Sequence, residues 1–159
     1  MQASRVSYSL ESEIGEGNYR TLLVTTSEDF FNPEGSSEES LGALSLPFDQ
    51  ELGDLLGVWI RFGWARDDAA VYWESLYSGG INIMGNSWQR SDDNIGIGYV
   101  YLEGGNMGID NSQVFETYYR YALNEHFATT ADIQYMKDCM NDASNSDGWI
   151  FGVRLTVEM

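Results

Sequence analysis

The chain ends in an unbroken alternation, and no other feature restricts its fold as much. From Trp149 to Met159, the residues Trp149, Phe151, Val153, Leu155, Val157 and Met159 fall on one side. Ile150, Gly152, Arg154, Thr156 and Glu158 fall on the other. A repeat of two belongs to a pleated strand, whose successive side chains point to opposite faces. The run also has the length, about 9–11 residues, at which a tilted strand crosses a bilayer. The same pattern recurs upstream. Phe127, Thr129, Ala131, Ile133 and Tyr135 oppose Ala128, Thr130, Asp132, Gln134 and Met136. Phe115, Thr117, Tyr119, Tyr121 and Leu123 oppose Glu116, Tyr118, Arg120 and Ala122, while Ile95, Ile97, Tyr99 and Tyr101 oppose Gly96, Gly98, Val100 and Leu102. Val71, Trp73, Tyr77, Ile81 and Ile83 oppose Tyr72, Glu74, Ser78, Gly80, Asn82 and Met84. Val58, Ile60, Phe62 and Trp64 oppose Trp59, Arg61, Gly63 and Ala65, and Leu44, Leu46 and Phe48 form a shorter run. Residues 6–10 and 19–25 read as strands whose register the pattern leaves open.

The connections are predicted to differ in length at the two ends. Short ones are expected at residues 15–18, 49–55 and 123–126, with a longer one at 86–94. Polar, acidic connections are expected at 27–40, 66–70, 103–112 and 138–148. Short turns on one side and longer loops on the other are the layout of an outer-membrane barrel. The aromatics agree with it. On the apolar side, Trp64, Trp73, Tyr101, Phe115, Tyr135 and Trp149 come near the loop ends of their strands, and Phe48, Tyr121 and Phe127 near the turn ends. Two aromatic bands flanking an aliphatic belt are the interfacial girdle of a membrane barrel. A soluble barrel or sandwich would explain the alternation but not the bands. It would also leave Arg61, Glu116, Arg120, Asp132 and Arg154 aligned toward solvent for no reason.

Composition narrows the function. Mean hydropathy is -0.32, and no stretch has the 18 or so consecutive apolar residues of a membrane helix. Tyr (10), Phe (7), Trp (5) and Gly (17) against two Pro suit pleated sheets. A net charge of -17 excludes a nucleic-acid partner, because nothing neutralises a phosphate backbone. Cys139 is the single cysteine, so there is no internal disulfide. Met1-Gln2-Ala3-Ser4-Arg5 is followed by no apolar signal segment, so a mature chain or a piece of a longer one is expected. About nine strands are predicted. Closed bacterial barrels have an even number, and eight strands leave an interior filled by side chains.

Several segments resemble the carbohydrate-selective porins (OprB-type) of Gram-negative outer membranes. They are Gly17-Asn18-Tyr19-Arg20, Phe48-Asp49-Gln50-Glu51-Leu52, Arg61-Phe62-Gly63 and Ser78-Gly79-Gly80. Further along come Arg90-Ser91-Asp92-Asp93 with Ile95-Gly96-Ile97-Gly98-Tyr99, then Glu116-Thr117-Tyr118-Tyr119-Arg120 and Asp132-Ile133-Gln134-Tyr135. Their order and spacing match the C-terminal half of such porins. The resemblance implies residues 1–159 as one partial domain, an antiparallel transmembrane β-barrel contributing 8–9 strands to about sixteen. It also implies an outer-membrane location among lipid and lipopolysaccharide, small sugars as solutes, ion passage, and a homotrimer. The chain ends in Met159 where these proteins usually end in an aromatic.

A porin needs a polar wall, fixed charges and, for sugars, aromatic faces, rather than a catalytic group or cofactor. The residues predicted to line the path are Trp59, Arg61, Glu74, Asn82, Glu116, Tyr118, Arg120, Asp132, Gln134, Arg154 and Glu158. Arg61, Arg120 and Arg154 are expected to face Glu74, Glu116, Asp132 and Glu158, and Trp59 and Tyr118 to stack on sugars. The acidic stretch 138–148 does not fit a calcium loop. His126, beside Glu125 in a turn, is the one histidine an enzyme could use, and no enzyme is expected. Two other readings stay open: a small closed outer-membrane barrel with a structural or binding role, and a soluble barrel carrying a ligand.

Overall fold

Alternating side chains and hydrogen-bonded neighbours set this architecture from the first strand to the last. The structure, a computed structural model, describes residues 2–26, 30–141 and 144–158. Met159 and Asp142 lie outside the described residues. Nine strands form one sheet: β1 (Gln2–Ser12), β2 (Gly15–Thr25), β5 (Gly42–Leu52), β6 (Leu56–Ala65), β7 (Trp73–Met84), β8 (Asn94–Gly104), β9 (Ile109–Ala122), β10 (Phe127–Met140) and β11 (Ser146–Val157). Each pairs antiparallel with the next in that order. Between β2 and β5, β3 (Phe30–Phe31) and β4 (Glu38–Glu39) make a small hairpin. A 3-10 turn at Gly85–Trp88 joins β7 to β8. Among the described residues the sheet is open: β1 and β11 each pair on one side only.

Residues directly opposite in an antiparallel pair share a face. One row runs Val153–Ala131–Tyr119–Ile95–Ile83–Leu56–Leu52 across seven strands. On the other face a row runs Gly152–Asp132–Tyr118–Gly96–Asn82–Gly57–Glu51. The alternation read from β5 to β11 therefore assembles into one apolar face and one opposed face. The register of the first strands is also fixed. Tyr8 lies opposite Tyr19, Tyr19 opposite Phe48, and Leu23 opposite Leu44, so these join the apolar face.

Almost nothing covers that face. Among the described residues, Ala69 and Ala128 are the buried apolar side chains, while Phe151, Val153 and Leu155 are 72%, 83% and 67% exposed. Aromatic rings tile it instead. Tyr19, Phe48, Phe62, Trp64, Tyr77 and Tyr101 touch in succession with centroids 5.9–6.4 Å apart, climbing from the turn end of β2 toward the loop end of β8. Tyr135 and Trp149 add a closer pair at 5.0 Å.

Three expectations are corrected. Val71 lies before β7, with its N–H donated to Asn106 Oδ1 at 2.9 Å. Trp73 pairs with Gly104 but Ser75 pairs with Glu103, so Glu74 is the extra residue of a bulge. One extra residue reverses the alternation, and Trp73 leaves the face of Tyr77 and Ile81. The strands also outrun the apolar belt, because ladder bonds are made by backbone whatever the side chain. Asp138 stands opposite both Ser112 and Ser146, and Asp49 opposite Trp59. The connections expected at 103–112 and 138–148 shrink to 105–108 and 141–145, leaving 26–41 and 66–72 as the long ones at that end.

Candidate functional site

The opposed face carries the charges, and proline helps place the first of them. Pro47 in β5 has no N–H, and the β2–β5 ladder has no pair between Tyr19–Phe48 and Leu22–Ser45. Arg20 donates there from Nη2 to Asp49 Oδ2 at 2.7 Å, and Arg61 Nη2 stands 3.7 Å from Asp49 Oδ1. Asp49 thus links two arginines across β2, β5 and β6. Sequence reasoning missed Arg20, and missed Asp49 by reading it as a turn. Glu74, expected among the carboxylates facing the arginines, is the extra residue of the bulge.

Glycines shape the next part of the wall. Trp59 on β6 is opposite Gly80 on β7, which is opposite Gly98 on β8. The indole lies along both: a methyl added at Gly80 would be 2.7 Å from Trp59 Cε2, and one at Gly98 would be 3.1 Å from Cζ2. From the far side, the Tyr118 ring on β9 lies over Gly96 and its hydroxyl donates to Asn82 Oδ1 at 3.4 Å. The Asp132 carboxylate likewise lies over Gly152. Arg61 Cζ sits 4.9 Å from the Trp59 ring centroid.

Beside these rings a concavity of about 310 Å³ opens on the same face, lined by Asn94, Glu116, Tyr118, Arg120, Thr130, Asp132, Arg154 and Thr156. Of the expected path residues, Glu116, Tyr118, Arg120, Asp132 and Arg154 meet there. Trp59, Arg61, Asn82 and Gln134 lie on the same face outside it, Gln134 donating to Asp132 Oδ1 at 3.3 Å. Glu74 is at the bulge. Glu158 follows β11, its N–H donated to the His126 carbonyl at 2.9 Å. Asn94, Thr130 and Thr156 were not among the expected path residues, although the register of Arg120 and Arg154 places them. Arg120 and Arg154 share this concavity with Glu116 and Asp132. Arg120 donates to the Asp92 carbonyl at 2.6 Å, and among the described residues Arg154 makes no ion pair. Toward the loop end this face turns apolar at Leu76, Val100, Leu102 and Val114, with Ser112 and Asp138 polar beyond them.

A second charge cluster sits in the turn after β7. Asp93, 1% exposed, accepts from Arg90 Nε at 2.5 Å and Nη2 at 3.0 Å, from the Tyr119 hydroxyl at 2.5 Å and from the Ala122 N–H at 2.8 Å. Arg90 also donates to the Ala122 carbonyl at 2.8 Å, with its Cζ 4.0 Å from the Tyr121 ring centroid. The Arg90 hydrogen bond holds the Asp93 carboxyl well below the usual carboxylate range, against the opposing effect of burial. Every acceptor site is occupied, so this cluster fastens a turn and offers nothing to a solute.

The family model for carbohydrate-selective porins (OprB family) matches residues 18–159. No curated protein and no solved structure matches the chain.

Proposed function

The chain belongs to the OprB family of carbohydrate-selective porins, and from that membership we propose that it forms part of the wall of an outer-membrane diffusion channel for small hydrophilic solutes, sugars first among them. The observation that carries this reading is the uncovered apolar face backed by a polar one. In water such a face would be a large exposed patch, whereas in a bilayer it is satisfied by lipid tails. The opposed face then lines the lumen, with Trp59, Arg61, Glu116, Tyr118, Arg120, Asp132, Arg154 and their neighbours along the solute path. Glu74 and Glu158 stand nearer its two mouths. The open sheet becomes a closed barrel by pairing β1 and β11 with further strands, since lipid tolerates no free edge. The environment is the outer membrane of a Gram-negative bacterium, with lipopolysaccharide around the loop end, small ions passing with the sugars, and a homotrimer as the assembly.

The test is solute flux. Liposomes holding the full protein that carries this chain, folded in detergent, are moved into isosmotic glucose or dextran. Swelling in glucose and none in dextran is expected. Equal behaviour of protein-bearing and empty liposomes would overturn the proposal.

A further inference from the structure

The connections at the loop end are tied to one another, and a single side chain makes much of the tie. Asn106, in the turn between β8 and β9, reaches the 66–72 connection between β6 and β7. Its Oδ1 accepts from the Val71 N–H at 2.9 Å, and its Nδ2 donates to the Asp67 carbonyl at 2.6 Å and the Ala69 carbonyl at 2.9 Å. Backbone bonds extend the tie. The Gly105 N–H donates to the Tyr72 carbonyl at 3.0 Å, and a methyl at Gly105 would stand 2.5 Å from the Val71 carbonyl oxygen, so the approach needs glycine. On the other flank the Ala70 N–H donates to the Phe31 carbonyl at 2.8 Å, in β3. The Gly108 carbonyl accepts from the Asn141 N–H at 3.1 Å, which brings in the 141–145 connection. Connections are ordinarily the mobile parts of a fold. Here every residue from 69 to 72 has a backbone group bonded to another connection, and Ala69 is fully buried.

We infer that Asn106 is a positioning residue: it holds the 66–72 connection along the rim and so keeps the loop-end mouth of the channel open. The inference rests on the channel reading above and assigns what keeps that channel from blocking itself. Both anchors belong to connections of the same sheet, the β3–β4 hairpin on one side and the 105–108 turn on the other. A strap tied on both flanks lies along the edge rather than across the opening. Freed, its seven residues would swing out by roughly 10 Å, since an extended residue spans about 3.3 Å and both ends of the strap stay fixed. That swing would carry the exposed Asp67 and Asp68 into the solute path. The amide suits the hold, because one planar group offers two donors to the two carbonyls and an acceptor to the N–H. No other side chain of this size supplies both.

Two readouts on the full protein test this. In planar bilayers the single-channel current of the original protein is expected to be steady. Asn106→Ala removes three neutral hydrogen bonds, each worth about 2- to 10-fold in an equilibrium. Brief closures should then occupy at least about 10-fold more of the record. Asn106→Asp keeps an acceptor for Val71 but sets a carboxylate against the Asp67 and Ala69 carbonyls, and should flicker as much. The second readout needs no conductance. Trypsin cuts after Arg66, which is exposed and paired with Asp68. In detergent that cut, identified by fragment mass, should come at least about 10-fold faster in both variants. The melting temperature of the barrel should not move, since Asn106 lies outside every strand. A steady current in both variants, or an unchanged rate of cutting, would overturn the inference. So would a lower melting temperature with a steady current, the mark of a merely structural residue, or closures as frequent in the original protein. Absence of conductance in the original protein would sink the channel reading, and with it the role at the mouth, even where faster cutting shows the hold on the strap.

Discussion

The molecule uses arginine and aspartate in two opposite ways. At the turn after β7, Asp93 is buried and receives two donors from Arg90, one from Tyr119 and one from Ala122. On the polar face, Asp49 is shared loosely between Arg20 and Arg61, and all three side chains are 30–50% exposed. The chemistry is the same, but the surroundings differ. A buried, fully satisfied pair contributes order and is costly to break from one side, whereas exposed pairs contribute little and keep their donors available. The first fastens the scaffold. The second leaves a wall that can exchange its partners with a passing solute.

The largest effect should come from breaking the buried pair. Asp93→Ala strands the Arg90 guanidinium and the Tyr119 hydroxyl, and we expect a loss of about 3 kcal/mol, the low end for a buried pair because Arg90 is 38% exposed. Thermal unfolding in detergent measures it. Acid should reproduce part of it. Asp93 titrates lower folded than unfolded, so its contribution is fully present above the ordinary value of 3.8 and is lost as pH falls below it. The Asp93→Asn protein should lack that acid-dependent step. A next, smaller effect compares the faces. Ile97→Arg on the apolar face should cost about 2 kcal/mol in a bilayer, the low end for a lipid-facing arginine. Thr130→Arg, on the polar face, should fold with stability unchanged within about 1 kcal/mol. Smallest of all, Arg154→Gln should leave stability unchanged and shift the channel's cation preference upward, read as a reversal potential in a salt gradient.

The comparison also shows where sequence suffices. Alternation alone placed the faces of β5 to β11, because a one-residue slip would move every apolar side chain to the wrong side. It failed where backbone decides. The bulge at Glu74 leaves no mark in hydrophobicity, and polar ends such as Ile109–Ser112 and Lys137–Met140 pair as well as apolar ones. The same blindness turned Asp49 into a turn residue and hid its link to Arg20 and Arg61. Arg90 and Asp93 were visible only as part of a family-like segment. Their three-residue spacing says nothing of Tyr119 or Ala122, which arrive from another strand. Nor does any pattern announce that Trp59 lies on Gly98, since that contact spans three strands.

If one face meets lipid and the other water, β10 should show it most directly. In a Cys139→Ser background, single cysteines at Thr129, Thr130, Ala131, Asp132, Ile133 and Gln134 would carry a spin label in liposomes. Collision with oxygen, which concentrates in lipid, would be compared with collision by a water-soluble nickel chelate. Strict alternation is expected, with oxygen reaching 129, 131 and 133 and nickel reaching 130, 132 and 134. Uniform access by nickel at all six positions would contradict it.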